Sequence, residues 1–150
     1  MTDSSDKPRR DVFVPPGGPG QLPSLSAEIY ASMGTEGVFG MLEAFYAELG
    51  RSEIRHIFSE DLVAASQRSA AFYVQLFGGP PLYNQKYGNP MMRARHLPFE
   101  INESARKVWR DCFYRILERA DEFGFPDGHL EDFRNWLDGF SRWMVNTLDT

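Results

Sequence analysis

The chain has 150 residues, 42% of them hydrophobic, which is enough to build one domain with a real core. Its formal net charge of −5 provides no general positive field, so neither nucleic acid nor an anionic membrane surface is an expected partner. The single cysteine, Cys112, excludes an internal disulfide framework, a CxxC redox pair and a cysteine-based zinc site.

Residues 1–23 form a segment without hydrophobic periodicity. Polar residues, prolines and glycines dominate it, which predicts a disordered or loosely attached tail, with the folded domain spanning residues 24–150. The tail has no hydrophobic signal core, and no apolar run in the chain reaches the length of a membrane-spanning helix. We therefore expect a soluble, cytoplasmic protein.

Four long segments after the tail have helical periodicity. Thr35 can cap the first, whose apolar stripe ends at Gly50. The second covers residues 60–77, while Asn102 opens the third and Asp127 the fourth. No alternating run is long enough for a convincing strand. The predicted fold is all-α, with four principal helices and several short ones.

The stretch between the second and third helices predicts a loop followed by a short helix. Glycines and prolines at residues 78–81 stop the second helix, and Asn89-Pro90 opens a short turn. His96 ends that turn, and Pro98 is expected to push Leu97 out of helical conformation. A lone histidine in such a place is ordinarily a capping or core residue, so its position alone does not identify a metal ligand.

The usual enzyme signatures are missing from the sequence, which contains no P-loop, GxGxxG, HExxH or GxSxG motif. His56, His96 and His129 each stand apart from a second possible ligand at helical spacing, which argues against a zinc or polynuclear site. Most carboxylates fall on solvated helix faces. What remains is a helical bundle with large aromatics, one positioned histidine and clustered arginines, a set that suits a planar, apolar cofactor with acidic edges.

Turn residues, aromatics and a basic pair recur at fixed offsets around that histidine: a GGP turn, Tyr83, YGNP at 87–90, RARHLPF at 93–99 and Trp109. The pair FY at 45–46 and HIFSED at 56–61 continue the pattern. Over roughly residues 27–146, this pattern resembles the truncated haemoglobins, most closely their second group.

The resemblance implies a two-over-two globin fold enclosing haem b, iron protoporphyrin IX. His96 would bind the iron through one imidazole nitrogen while a nearby backbone carbonyl orients the other, leaving the sixth iron position open to a gas. Phe58 and Phe72 would cover the haem face. The haem propionates would be bound by Arg95, Arg68 and Tyr83. The implied haem environment comprises Phe58, Ala65, Arg68, Phe72, Tyr83, Met92, Arg95 and Phe99. For Phe58 and Phe72 ordinary core packing holds as well, and Arg68 has simple exposure as an alternative.

On the distal side, the resemblance implies that Tyr46 and Trp109 face the bound gas. Bound dioxygen carries partial negative charge, so a phenol O–H and an indole N–H are suitable donors, although core aromatics bonded elsewhere are the alternative. Ser69 lies where a glutamine or leucine is frequent, and either Ser69 or water could add a third hydrogen bond. Ala65 replaces the gating histidine or glutamine of other globins and should leave the entrance open.

The implied ligands are dioxygen, nitric oxide, carbon monoxide or peroxide. Two hydrogen-bond donors that retain dioxygen argue against bulk storage and favour nitric oxide dioxygenase or peroxidase-like chemistry. Such turnover would need an external reductase because the chain has no flavin or nicotinamide domain. A monomer or weak homodimer is expected. The rival hypotheses are a globin-fold sensor or partner-docking module with little or no haem, and a covalent tetrapyrrole anchor at Cys112, as in phycobiliproteins.

Overall fold

The computed structural model describes residues 12–149, in which all regular structure is helical. Six α-helices are α1 (Glu28–Gly50), α2 (Leu62–Leu76), α3 (Leu82–Tyr87), α4 (Met92–His96), α5 (Glu103–Leu117) and α6 (Leu130–Met144). Three 3-10 helices span Arg55–Ile57, Ala120–Phe123 and Asp127–His129. The prediction of an all-α fold with four principal helices is confirmed. Between residues 12 and 149, no helix is both long and apolar enough to cross a membrane.

Side-chain caps set the starts of α2 and α5, whereas α1 and α6 begin without one. The carboxamide oxygen of Asn102 accepts the N–H of Ala105 at 2.8 Å, so Asn102 caps α5 as predicted. Within α1 the helical geometry breaks at Gly34, whose positive φ of 65° favours glycine. The second part of α1 follows this break, at the predicted cap residue Thr35. The Thr35 hydroxyl pairs with the hydroxyl of Tyr30 at 2.8 Å.

Fully buried phenylalanines join the long helices into one core. Phe45 of α1 lies 4.2 Å from Phe113 of α5, measured between ring centroids, and Phe113 lies 5.5 Å from Phe133 of α6. Phe77, at the end of α2, lies 5.0 Å from Phe133. The pairs α1 with α2 and α5 with α6 pack together, and α1 also contacts α5. This is the two-over-two arrangement that the sequence predicted.

The predicted tail needs correction where the structure describes it. The N–H of Phe13 donates to the main-chain oxygen of Asn146 at 2.9 Å, and the guanidinium of Arg93 donates to the oxygen of Phe13 at 2.9 Å. Leu22 lies so close to Gly139 that a Cβ there would come within 2.6 Å of it. Phe13 is therefore attached to the domain by main-chain bonds and Leu22 by close packing, neither of which composition reveals. Residues 1–11 of the predicted tail lie outside the described residues.

The approach to α4 also differs from prediction. Leu97 keeps helical angles, with φ −57° and ψ −32°, so the prediction that Pro98 displaces it is wrong. Its N–H still bonds to the carbonyls of Arg93 and Ala94 at 3.2 and 3.3 Å, and these bonds outweigh the conformational preference that a following proline imposes. At the other end, Met91 is left-handed, with φ 39°, so α4 begins two residues after Pro90.

Candidate functional site

A largely apolar cleft, partly open to solvent and with a cavity volume of about 70 Å³, lies beside α4. Four parts of the chain form its walls: Ile54, Ile57, Phe58, His96, Ile101, Ala105, Arg106, Trp109, Phe140, Ser141 and Met144. Three predicted site residues, Phe58, His96 and Trp109, are thus brought to one cleft from separate segments.

His96 presents a neutral imidazole to the cleft. Its Nδ1 lies 2.6 Å from the main-chain oxygen of Met92, one turn earlier in α4. Because a carbonyl only accepts, Nδ1 carries the proton and Nε2 carries the lone pair. Burial lowers the pKa of His96, although the hydrogen bond to Met92 opposes this effect. A neutral imidazole whose Nδ1–H is held by a carbonyl is the form in which histidine ligates metals.

The other two histidines lie outside the cleft walls. His56 is exposed on the 3-10 helix Arg55–Ile57, and His129 lies 3.7 Å from the carboxylate of Glu28. Over the described range, residues 12–149, no group of three or more histidine, cysteine, aspartate or glutamate side chains could hold a metal ion. A metal at His96 would therefore need most of its ligands from a prosthetic group, as iron in haem has.

Tyr46 and Ser69 lie beside the cleft and are not among its lining residues. The ring of Tyr46 is edge-on to that of Phe58, with centroids 5.9 Å apart. Burial raises the pKa of the Tyr46 phenol, and both a hydrogen bond with Ser69 and the positive charge of Arg68 oppose this shift. The phenol therefore keeps its proton at neutral pH and can donate it. The structure places Ser69 against Tyr46, so its effect on a ligand would pass through that phenol.

Trp109 lies on the cleft wall and packs on the core. Its ring centroid lies 5.5 Å from that of Phe45 and 5.7 Å from that of Phe113. Among the described residues the indole N–H has no hydrogen-bond acceptor, so it is available to a molecule in the cleft. The pair Tyr46 and Trp109 is linked through Phe45, whose centroid lies 5.4 Å from that of Tyr46.

The remaining predicted haem contacts are not among the residues that line the cleft. Phe72 packs edge-on to Tyr83, with centroids 6.0 Å apart, and lies 6.3 Å from Trp136 and 6.1 Å from Phe140. Ala65 is buried in α2, while 46% of Phe99 is exposed. The backbone oxygen of Met92 accepts the Nδ1–H of His96, and the N–H of Phe99 donates to the main-chain oxygen of His96 at 3.0 Å.

The predicted propionate partners differ in exposure and in the hydrogen bonds that already hold them. Nε and one Nη of Arg95 donate to the carbonyls of Tyr87, Asn89 and Pro90, at distances from 2.6 to 3.3 Å. The guanidinium carbon of Arg95 also lies 5.4 Å from the ring centroid of Tyr83, which is buried. Arg68 is exposed on α2. Of these three residues, Arg95 is held most firmly, by the loop before α4.

Sequence reasoning missed Arg106, a buried cation on the cleft wall. Its guanidinium donates to both carboxylate oxygens of Glu103 at 2.7 and 2.8 Å, and to Asp138 at 3.0 Å and Ser141 at 3.3 Å. The Arg106 hydrogen bond lowers the pKa of Glu103. Burial raises the pKa of Asp138, but hydrogen bonds from Arg106 and Arg110 outweigh it and the net shift is downward. The spacing of Glu103 and Arg106 was the one local signal for this network.

Comparisons with known proteins agree with this geometry. The family model described as bacterial-like globin matches residues 26–145. The group 2 truncated haemoglobin YjbI of Bacillus subtilis is 33% identical over 122 residues, covering 80% of this chain and 89% of that protein. The crystal structure of phosphate-bound Hell's gate globin IV superposes with a TM-score of 0.81 at 34% identity, covering 99% of this chain and 89% of the other.

The structure of a truncated oxygen-avid haemoglobin from Bacillus subtilis gives a TM-score of 0.72 at 31% identity, covering 78% of this chain and 98% of that one. Membership of such a family implies haem and the binding of diatomic gases such as dioxygen. The resemblance noted in the sequence is confirmed: the chain belongs to the truncated haemoglobins, among the bacterial-like globins, and is most similar to their second group.

Proposed function

We propose that this chain binds haem b through Nε2 of His96 and holds dioxygen or another diatomic gas beside it. The observation that carries the proposal is the neutral His96 imidazole on the cleft wall, with Nδ1 bonded to Met92 and Nε2 left to a ligand. When bound, haem supplies an iron centre with a coordination position open to a gas. Family membership supports the binding of haem, and the geometry of His96 supports its role as the iron ligand.

Most of the cleft walls are apolar, which suits contact with an apolar macrocycle. Eight of the lining side chains are aliphatic or aromatic: Ile54, Ile57, Phe58, Ile101, Ala105, Trp109, Phe140 and Met144. We further propose Ala65, Phe72, Met92 and Phe99 as haem contacts. Arg68, Tyr83 and Arg95 are proposed partners of the propionates. Arg95 would donate a charge-assisted hydrogen bond from Nη1, the guanidinium nitrogen that is not bonded to a backbone carbonyl.

Tyr46 and Trp109 are the proposed donors to the gas. The raised pKa of Tyr46 keeps its O–H protonated, and Trp109 lines the cleft with an indole N–H that has no acceptor among the described residues. Hydrogen bonds to charged partners contribute about 1.5–3 kcal/mol each. Donors of this strength favour retention of dioxygen, so we propose reaction with nitric oxide or peroxide, driven by an external reductase, in preference to bulk storage. The protein is proposed to act as a monomer or weak homodimer.

Haem reconstitution followed by absorbance tests this proposal. The unmodified protein should show a sharp Soret band, and His96→Ala should lose stable haem uptake because no other lining residue is an imidazole. His56→Ala and His129→Ala are matched controls and should retain the band. A normal spectrum in His96→Ala would show that the ligand is wrongly assigned. Colourless parent protein after haem feeding would instead support the sensor or docking module.

A further inference from the structure

His96 stands on a helix too short to hold its own position. The helix α4 has five residues, little more than one turn, and isolated helices below about 12–15 residues are marginal in water. The imidazole is bonded to this same helix through Nδ1 and the Met92 oxygen. The direction of the ring therefore depends on what holds α4 and the main chain that follows it.

Asn146, two residues after α6, binds that main chain with its side chain. Its Nδ2 donates to the oxygens of His96 at 3.2 Å and Phe99 at 2.9 Å. Its Oδ1 accepts the N–H of Ile101 and the hydroxyl of Thr147, both at 3.0 Å. Asn146 is fully buried, and its amide uses both N–H groups and both lone pairs.

The backbone of Asn146 binds the same segment a second time. Its N–H donates to the oxygen of Ile101 at 2.9 Å, and Ile101 lines the cleft together with His96. Arg93, within α4, donates to the carbonyls of Trp143 and Val145 just before Asn146. A buried polar network with every member paired selects one arrangement, because any shift would leave desolvated groups unpaired.

We propose that Asn146 is a positioning residue for His96: its side-chain amide fixes the main chain from His96 to Ile101 and so sets the direction of the imidazole toward iron. The role in ligation rests on the proposed function. The anchoring itself rests on contacts within the protein and can be measured without haem.

The test uses Asn146→Asp, which keeps the size of the side chain and the Oδ1 acceptor but removes both Nδ2 donors. Asn135→Asp makes the same chemical change at an exposed position of α6 and is the matched control. Val38→Ala, in the buried core of α1, is a second control that destabilises the fold without touching this segment.

In haem-free protein, the readout is hydrogen exchange of the Phe99 amide, which donates to the His96 oxygen at 3.0 Å. We expect exchange to accelerate on the order of tenfold in Asn146→Asp beyond the change seen in Val38→Ala. In haem-loaded ferrous protein, the iron–histidine stretching band should shift or broaden in Asn146→Asp and stay unchanged in both controls.

Unchanged exchange and an unchanged band in Asn146→Asp would overturn the proposal, as would equal changes in Val38→Ala. If Asn146→Asp does not fold, Thr147→Val, which removes one bond to Oδ1, should still shift or broaden the band relative to the parent protein. No shift in that variant would also overturn it. If the parent protein shows no iron–histidine band, the proposed function fails, while Phe99 exchange still decides whether Asn146 anchors the segment.

Discussion

Tyr46→Phe is the sharpest perturbation of the proposed gas site. It removes one hydroxyl and keeps the ring that packs edge-on to Phe58 at 5.9 Å, so the core should be preserved. Loss of a hydrogen bond to a charged partner corresponds to about 1.5–3 kcal/mol, or roughly tenfold to 150-fold faster release. Because the phenol oxygen is also shared with Ser69, we expect the lower end, about tenfold faster dioxygen release.

Stopped-flow release of dioxygen and carbon monoxide on four proteins measures this effect. The set is the parent, Tyr46→Phe, Trp109→Phe and the double variant. Carbon monoxide carries less charge, so its release should change less in every variant. Two donors to one ligand should not act additively, so the double variant should deviate from the product of the single effects.

Tyr114→Phe is the matched control for the stopped-flow series. That phenol donates to the main-chain oxygen of Arg134 at 3.0 Å and is not among the cleft-lining residues, so its loss should leave release unchanged. Unchanged dioxygen release in both Tyr46→Phe and Trp109→Phe would refute the reasoning and assign the distal role to Ser69 or to water.

Three predictions concern stability. Arg106→Met should lower the free energy of unfolding, measured by urea titration, by about 2 kcal/mol. This is less than for a fully buried pair because the side chain of Glu103 is 42% exposed. The control Arg119→Met, at an exposed pair with Glu122, should change the free energy of unfolding by less than about 1 kcal/mol. The folded pKa values of Glu103 and Asp138 are lowered, so their contribution to stability is present above the unfolded values of about 3.9–4.3 and is lost as pH falls through the folded values. Lowering the pH from about 5 to 3 should therefore reduce the free energy of unfolding of the parent more than that of Arg106→Met. Deletion of residues 1–22 should lower the unfolding free energy by about 2 kcal/mol relative to deletion of residues 1–11, since two hydrogen bonds of Phe13 are lost; equal melting temperatures would contradict this.

The helices could be predicted because their signals are local. Asn102 caps α5 through a residue three positions away, and the glycines at 78 and 79 stop α2 where the apolar period ends. The motif around His96 was also readable, since turn residues and the histidine lie within one short stretch. Its bond to Met92 follows from helical spacing alone.

The sequence by itself therefore determined the all-α class, the candidate ligand and most helix bounds to within a few residues, although α1 begins at Glu28, before the predicted cap Thr35. Only the tertiary structure decided what supports that ligand. Arg106 meets Asp138 across 32 positions and Asn146 meets His96 across 50, while Phe13 joins Asn146 from a segment without periodicity. Hydrophobic period shows which face of a helix is buried, but the pairing of polar groups on separate elements depends on how those faces dock. For that reason, the residues that position His96 carried no signal in the sequence.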